Sequence, residues 1–214
     1  MTTEKTLEKT LEALTALTAG DTFRTRDLLQ TIAEQLRDDI RTAEAKKNGK
    51  TNALSAAKRI LKAAQKQPRA ALHKAFFIDG LQYICDGVRG VQLKNALPLE
   101  ALPDNVETVQ LNKIIDDAKK YNNIVLELPE LKALKTYIKL CKAESKQDFY
   151  FYDFGPGLPF VNAEFLADLL EILPGCKAYA KTNGFNIFFE SDDGRGLLCC
   201  VQPGKNAERK KTEL

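Results

Sequence analysis

A single histidine, His73, in 214 residues removes most catalytic triads, histidine-rich metal sites and imidazole relays from consideration. The five cysteines (Cys85, Cys141, Cys176, Cys199, Cys200) are odd in number and contain no Cys-x-x-Cys pair. That pattern argues against a zinc site or a disulfide framework and for reduced, mostly buried thiols. No apolar run approaches the roughly 18 residues of a membrane span, and no signal-peptide pattern opens the chain, so a soluble, cytoplasmic protein with no membrane partner is expected. No Gly-rich turn opens a helix ahead of Lys-Ser/Thr, and Gly155-Pro156-Gly157 is not a phosphate loop. Asp116-Asp117 and Asp192-Asp193 are sequence neighbours, and on a strand neighbours point to opposite faces, which weakens either pair as a chelate. His73 falls in a predicted strand and reads as structural. These absences leave no enzyme, no cofactor and no metal in the reading.

What is present is a fold pattern. A β-rich run at 70–78 turns at Asp79-Gly80, returns through 81–85, turns again at Asp86-Gly87 and leaves through 88–93. Asp-Gly between such runs is a hairpin signal, because Gly accepts positive φ and Asp tolerates it. A helix at 53–67 precedes these strands. The same order recurs later: a helix from Ala163 to Leu173 capped by Asn162 and stopped at Pro174-Gly175, then strands at 176–182, 185–190 and 195–201 separated by Asn183-Gly184 and Asp193-Gly194. Two such units predict an α+β domain with pseudo-twofold character and helices on one face of its sheet.

The remaining segments divide the chain into 1–51, a helical segment; 52–203, the α+β domain with a helical insertion at about 104–147; and 204–214, a disordered tail. In the first, Leu7, Leu11, Leu14 and Leu17 form one helical stripe ending at Gly20, and Leu29, Ile32, Leu36 and Ile40 form another. Both stripes predict core or helix–helix contact, and residues 41–52 a flexible connector. Within the insertion, Leu111, Ile114, Ile115 and Ala118 mark one helix. A strand at 124–128 leads through Pro129 into a helix over 130–144, and 148–153 alternates as a strand.

Charge is distributed unevenly. The net charge of +3 implies little by itself. On the helix at 53–67, however, Lys58, Lys62 and Lys66 lie one turn apart with Arg59 and Arg69 beside them, and no acidic residue interrupts 51–72. Lys132, Lys135, Lys139, Lys142 and Lys146 form a second stripe on the helix at 130–144. One-sign stripes of this kind suit phosphate, and the alternative is a solvated face. Aromatics at 149–154 are more often core than base platforms.

Residues 76–89, Phe-Phe-Ile-Asp-Gly-Leu-Gln-Tyr-Ile-Cys-Asp-Gly-Val-Arg, resemble the segment of bacterial sliding clamps (the DNA polymerase III beta subunit family) in which a strand enters a Thr-Asp-Gly-x-Arg turn. Cys85 stands where the family has Thr. The run from Val161-Asn162-Ala163-Glu164-Phe165-Leu166 to Leu197-Leu198-Cys199-Cys200-Val201 resembles the closing half of a clamp's last domain. A clamp subunit carries three such domains, and this chain has room for one. The resemblance implies a single DNA-clamp-like domain, of phage or prophage derivation, acting as a non-enzymatic accessory in DNA replication. It also implies homo-oligomers, weak non-sequence-specific DNA binding, and a shallow apolar groove near Leu197 and Cys199 for a replication-protein peptide. Glu164, Asp168 and Glu171 make the second helix acidic, which keeps open the alternative of a clamp-like protein-interaction scaffold that does not bind DNA.

Overall fold

The computed structural model describes residues 3–103, 106–144, 150–202 and 211–214, with the backbone alone for residues 3–8 and 18. The chain divides into two compact units, Met1–Thr51 and Asn52–Leu214. Among the described residues no helix is long and apolar enough to cross a membrane.

The first unit is an antiparallel pair of helices, α1 (Thr3–Thr18) and α2 (Thr22–Lys47). Gly20, at φ +78°, closes α1: its N–H reaches Leu17 O, and the Asp21 N–H reaches Ala16 O. This double bond pattern satisfies the last helical carbonyls and needs the left-handed residue that Gly supplies. The Asp21 carboxylate then accepts from the Arg24 N–H at 2.9 Å and caps α2. The expected connector at 41–52 is corrected in part, because α2 runs on to Lys47. Residues 41–47 are mostly good helix formers, and nothing stops them before Gly49, where Lys50 N–H bonds to Ala45 O at 2.8 Å.

The two apolar stripes are also corrected. Ala13, Ala16, Thr25 and Ile32 are buried, whereas Leu11, Leu14 and Leu17 stay 67, 54 and 55% exposed, and Leu29, Leu36 and Ile40 are exposed as well. Two helices share one line of contact, which is narrower than a full apolar stripe. The Leu7 side chain lies outside the described residues.

The second unit is α+β, built on a seven-stranded antiparallel sheet. Its first meander is β1 (Phe76–Ile78), β2 (Leu81–Cys85) and β3 (Arg89–Leu93). Asp79 (φ 52°) and Gly80 (φ 77°) both take positive φ in the first hairpin, as a two-residue turn matched to strand twist requires. Then come β4 (Ile124–Leu126) and a separate two-stranded hairpin of β5 (Phe151–Asp153) and β6 (Phe160–Asn162). The second meander is β7 (Lys177–Ala180), β8 (Asn186–Glu190) and β9 (Gly194–Cys199). The sheet order is β1-β2-β3-β9-β8-β7-β4, so the meanders meet through β3 and β9, with Val91 opposite Gly196.

Strand alternation decides what covers each face. Ile84, Val91, Ile187, Phe189 and Leu198 share one cluster with residues of α3 (Thr51–Ala64), α5 (Leu131–Glu144) and α6 (Ala163–Ile172). Phe76, Tyr83, Phe188 and Leu197 point the other way and pack with Leu111, Ile115 and Ala118 of α4 (Leu111–Tyr121). The expectation of helices on one face is thereby corrected: both faces are apolar, and the insertion helix α4 covers the second.

Three local expectations also change. Residues 70–72 form a 3-10 turn after Pro68 rather than strand, and His73 ends that turn with Nε2 2.9 Å from Gln67 O. The strand over 148–153 is β5 alone, and Asp148 and Phe149 lie outside the described residues. Of the tail expected to be disordered, 204–210 lies outside the described residues. Thr212, however, pairs with β5, its N–H on Asp153 O at 2.8 Å and its Oγ1 accepting from Asp153 N–H at 2.9 Å.

Two outcomes follow from this packing. A Cβ at Gly194 would lie 2.1 Å from the Gln92 carbonyl oxygen of the adjoining strand. Gly194→Ala should therefore lower the urea-unfolding stability by about 3 kcal/mol or more. Burial pushes the Cys85 and Cys176 thiols from an ordinary 9.0 up to about 11. The unfolded chain releases these protons first, so stability should fall as pH rises from about 9 to 11, and the Cys85→Ala, Cys176→Ala double variant should show a shallower fall in the same titration.

Candidate anion-binding groove

α6 begins at Asn162, whose Oδ1 accepts from the Glu164 and Phe165 N–H groups at 2.9 and 3.2 Å. Ala163, Leu166, Leu169 and Ile172 face the core. The helical period therefore leaves Glu164, Phe165, Asp168 and Glu171 along the side between α3 and α5. A groove of about 510 Å³ runs there. Its rims are Lys62 of α3 with Lys66 just past that helix, and Lys135, Lys139 and Lys142 of α5, alongside the exposed Arg59 and the buried Arg89. Ala63, Ile138, Phe165 and Ala167 form its apolar floor.

The deepest group is Arg89, 3% exposed. Asp86 Oδ1 accepts from the Val88 and Arg89 N–H groups at 2.9 and 2.6 Å, fixing the turn. Asp86 Oδ2 then accepts from Arg89 Nε at 2.9 Å and lies 2.7 Å from Nη2. Arg89 Nη1 donates to Asp168 Oδ2 on α6, and its guanidinium stacks 3.9 Å from the centre of the Phe165 ring. Arg59 approaches Asp168 from α3, Nε donating to Oδ1 at 2.7 Å, and also pairs with Glu171. Lys135 completes the chain on Glu171, and Lys142 pairs with Glu164. Burial pushes the Asp168 carboxyl above its ordinary value, and Arg89 and Arg59 pull it back. Burial works against the Arg59 charge, but Asp168 and Glu171 outweigh it and hold its pKa above the ordinary value.

The lining thus holds seven cations against three carboxylates, a surplus of four. Arg59, Arg89, Lys135 and Lys142 are engaged by α6. Lys62, Lys66 and Lys139 make no ion pair among the described residues.

The sequence-predicted basic residues are thereby sorted. Lys62, Lys66, Lys135, Lys139 and Lys142 converge with Arg59. Lys58 is half-buried and off the groove, Arg69 and Lys132 are exposed away from its lining, and Lys146 lies outside the described residues. Leu197 is 7% exposed and packs in the cluster that α4 covers, and Cys199 is half-buried. Sequence reasoning missed Arg89 and Phe165 as part of the site. The only signal was the Asp86-Gly87-Val88-Arg89 spacing, which reads locally as a turn. A second concavity, about 500 Å³, lies between α4 and the 181–186 loop, beside the exposed Tyr121 and Phe185. Among the described residues no group of acidic, His and Cys side chains could hold a metal ion.

Comparison with protein-family models, curated proteins and solved structures gives no match for this chain.

Arg89→Met would strip two carboxylates of a buried partner. It should cost about 3–5 kcal/mol in urea unfolding at neutral pH. Because Asp168 can neutralise itself by taking up a proton, the loss should shrink toward acidic pH, as the unfolding midpoints of both proteins would show.

Proposed function

We propose that the Asn52–Leu214 unit is a clamp-like, non-enzymatic accessory of DNA transactions such as replication, and that it holds nucleic-acid phosphates in the α3–α5–α6 groove. One observation carries this reading: two lysine helices far apart in sequence line opposite rims of a single groove that retains an excess of positive charge. The clamp-like part draws support from the sheet order, in which two helix-led, three-strand meanders meet antiparallel at β3 and β9. A pseudo-twofold domain would have this order. The resemblance at 76–89 and 161–201 is in keeping with it, and the phage or prophage derivation, the homo-oligomer and the replication-protein peptide that the resemblance implies belong to the same proposal.

The acidic helix does not oppose the reading as a free field would, since Glu164, Asp168 and Glu171 are each answered by a cation. It does lower the number of available phosphate partners to about three, Lys62, Lys66 and Lys139. Binding should therefore be weak and indifferent to sequence, because lysines on phosphates carry no base information. The second reading is a clamp-like scaffold for proteins without DNA binding. The same neutralisation favours it, since four of the groove's seven cations are already paired.

Fluorescence anisotropy of labelled DNA across a salt series separates the two. With three phosphates engaged, log K against log salt should have a slope of about −2 to −3 on duplex. Changing Lys62, Lys66 and Lys139 together to Gln should flatten it toward zero without unfolding these exposed positions. Glu164→Gln, which releases Lys142, should strengthen binding. Absence of binding at low salt would leave the scaffold reading standing.

A further inference from the structure

We propose that the groove takes a single strand rather than a duplex, with one base seated on its apolar floor against Phe165. The inference rests on the phosphate-binding reading above and adds to it the class of nucleic acid.

The lysine rims alone would suit any polyanion, but the floor between them would not. Ala63, Ile138, Phe165 and Ala167 present an apolar surface below the charges. A duplex turns its phosphates outward and keeps base faces stacked inside, so it has nothing to lay on such a floor. A single strand offers both chemistries a few ångströms apart: phosphates for Lys62, Lys66 and Lys139, and a base face for the ring. Size agrees, since about 510 Å³ lies in the range of pockets that enclose a small molecule, one or two nucleotides rather than a double helix.

Phe165 is held for this purpose before any ligand arrives. Its backbone N–H is fixed by the Asn162 cap at 3.2 Å, and the Arg89 guanidinium lies 3.9 Å from its ring centre. Arg89 is itself locked between Asp86 and Asp168. The ring is half-buried and lines the groove, so stacking on it needs little further ordering. An acidic peptide is the competing occupant. The groove walls are helices, which offer an extended chain no sheet edge for its amides. An extended peptide would find no such partner for its backbone amides, whereas a sugar-phosphate backbone carries no amide N–H.

The test uses the full chain and three labelled probes of equal length: oligothymidylate, an abasic deoxyribose-phosphate oligomer, and duplex DNA. Wild type should bind oligothymidylate more tightly than the abasic strand or duplex, by between about fivefold and a hundredfold, the usual value of one stacked base. Phe165→Ala should bring oligothymidylate down to the abasic level and leave duplex unchanged, while Phe165→Tyr should keep the preference. Equal binding of the thymidylate and abasic strands by wild type would overturn the stacking proposal and leave phosphate binding intact. Duplex binding as tight as the single strand would do the same. No binding of any probe would remove both readings, and displacement of oligothymidylate by an acidic helical peptide at lower concentration would transfer the groove to a protein partner. The wild-type contrast between probes does not depend on the folding of any variant.

Discussion

A guanidinium buried to 3% exposure organises the larger unit. Arg89 starts β3, ties its own turn through Asp86, reaches across to Asp168 on α6, and stacks on Phe165. An isolated charge at that depth would be costly, and the position is tenable because two carboxylates and a ring face answer it. Asp168 is in turn shared with Arg59, so the first meander, α6 and α3 are joined at one point. Apolar packing supplies most of the stabilising energy here as elsewhere. The ionic node adds direction: it fixes the rotation of α6 about its axis, since a turn of that helix would break the Asp168 bonds to Arg89 and Arg59 and the Arg89–Phe165 stack at once.

That rotation decides the character of the groove. With Asp168 and Glu171 aimed at Arg59 and Lys135, the carboxylates spend their charge on the walls instead of facing solvent. The lysines beyond their reach keep an unbalanced field, and Phe165 is presented between the rims. An acidic helix and two basic ones, which look contradictory when counted separately, become one concave surface with a structured interior and a basic edge.

The N-terminal helices follow a different economy. Their contact uses Ala13, Ala16, Thr25 and Ile32, and most of the larger side chains of both stripes remain outside. The periodicity of those stripes is real, but periodicity states only which residues share a side of a helix. It does not say whether a second element is available to cover them. The same limit applies to the sheet. Alternation marked the strands, while the placement of α4 over the second face depended on a long-range return of the chain.

Local chemistry was legible in the sequence wherever one or two residues dominate the backbone. The turns at Asp79-Gly80 and Asp86-Gly87, the Asn162 cap, the end at Gly20, and the apolar faces of α3, α5 and α6 all rest on short-range sterics and hydrogen bonding. The two lysine stripes were legible for the same reason, as simple consequences of helical spacing. Their convergence was not. Arg59 meets Asp168 across 109 residues, Arg89 meets it across 79, and Lys135 meets Glu171 across 36. No periodicity spans such distances, because side-chain period records the face of an element and not its neighbour. Short-range chemistry was enough for most helices, the Asp-Gly hairpins and the basic stripes. Long-range packing chose which cations the acidic helix neutralises, which lysines are left over, and that Leu197 is buried under α4 while Phe165 lines the groove.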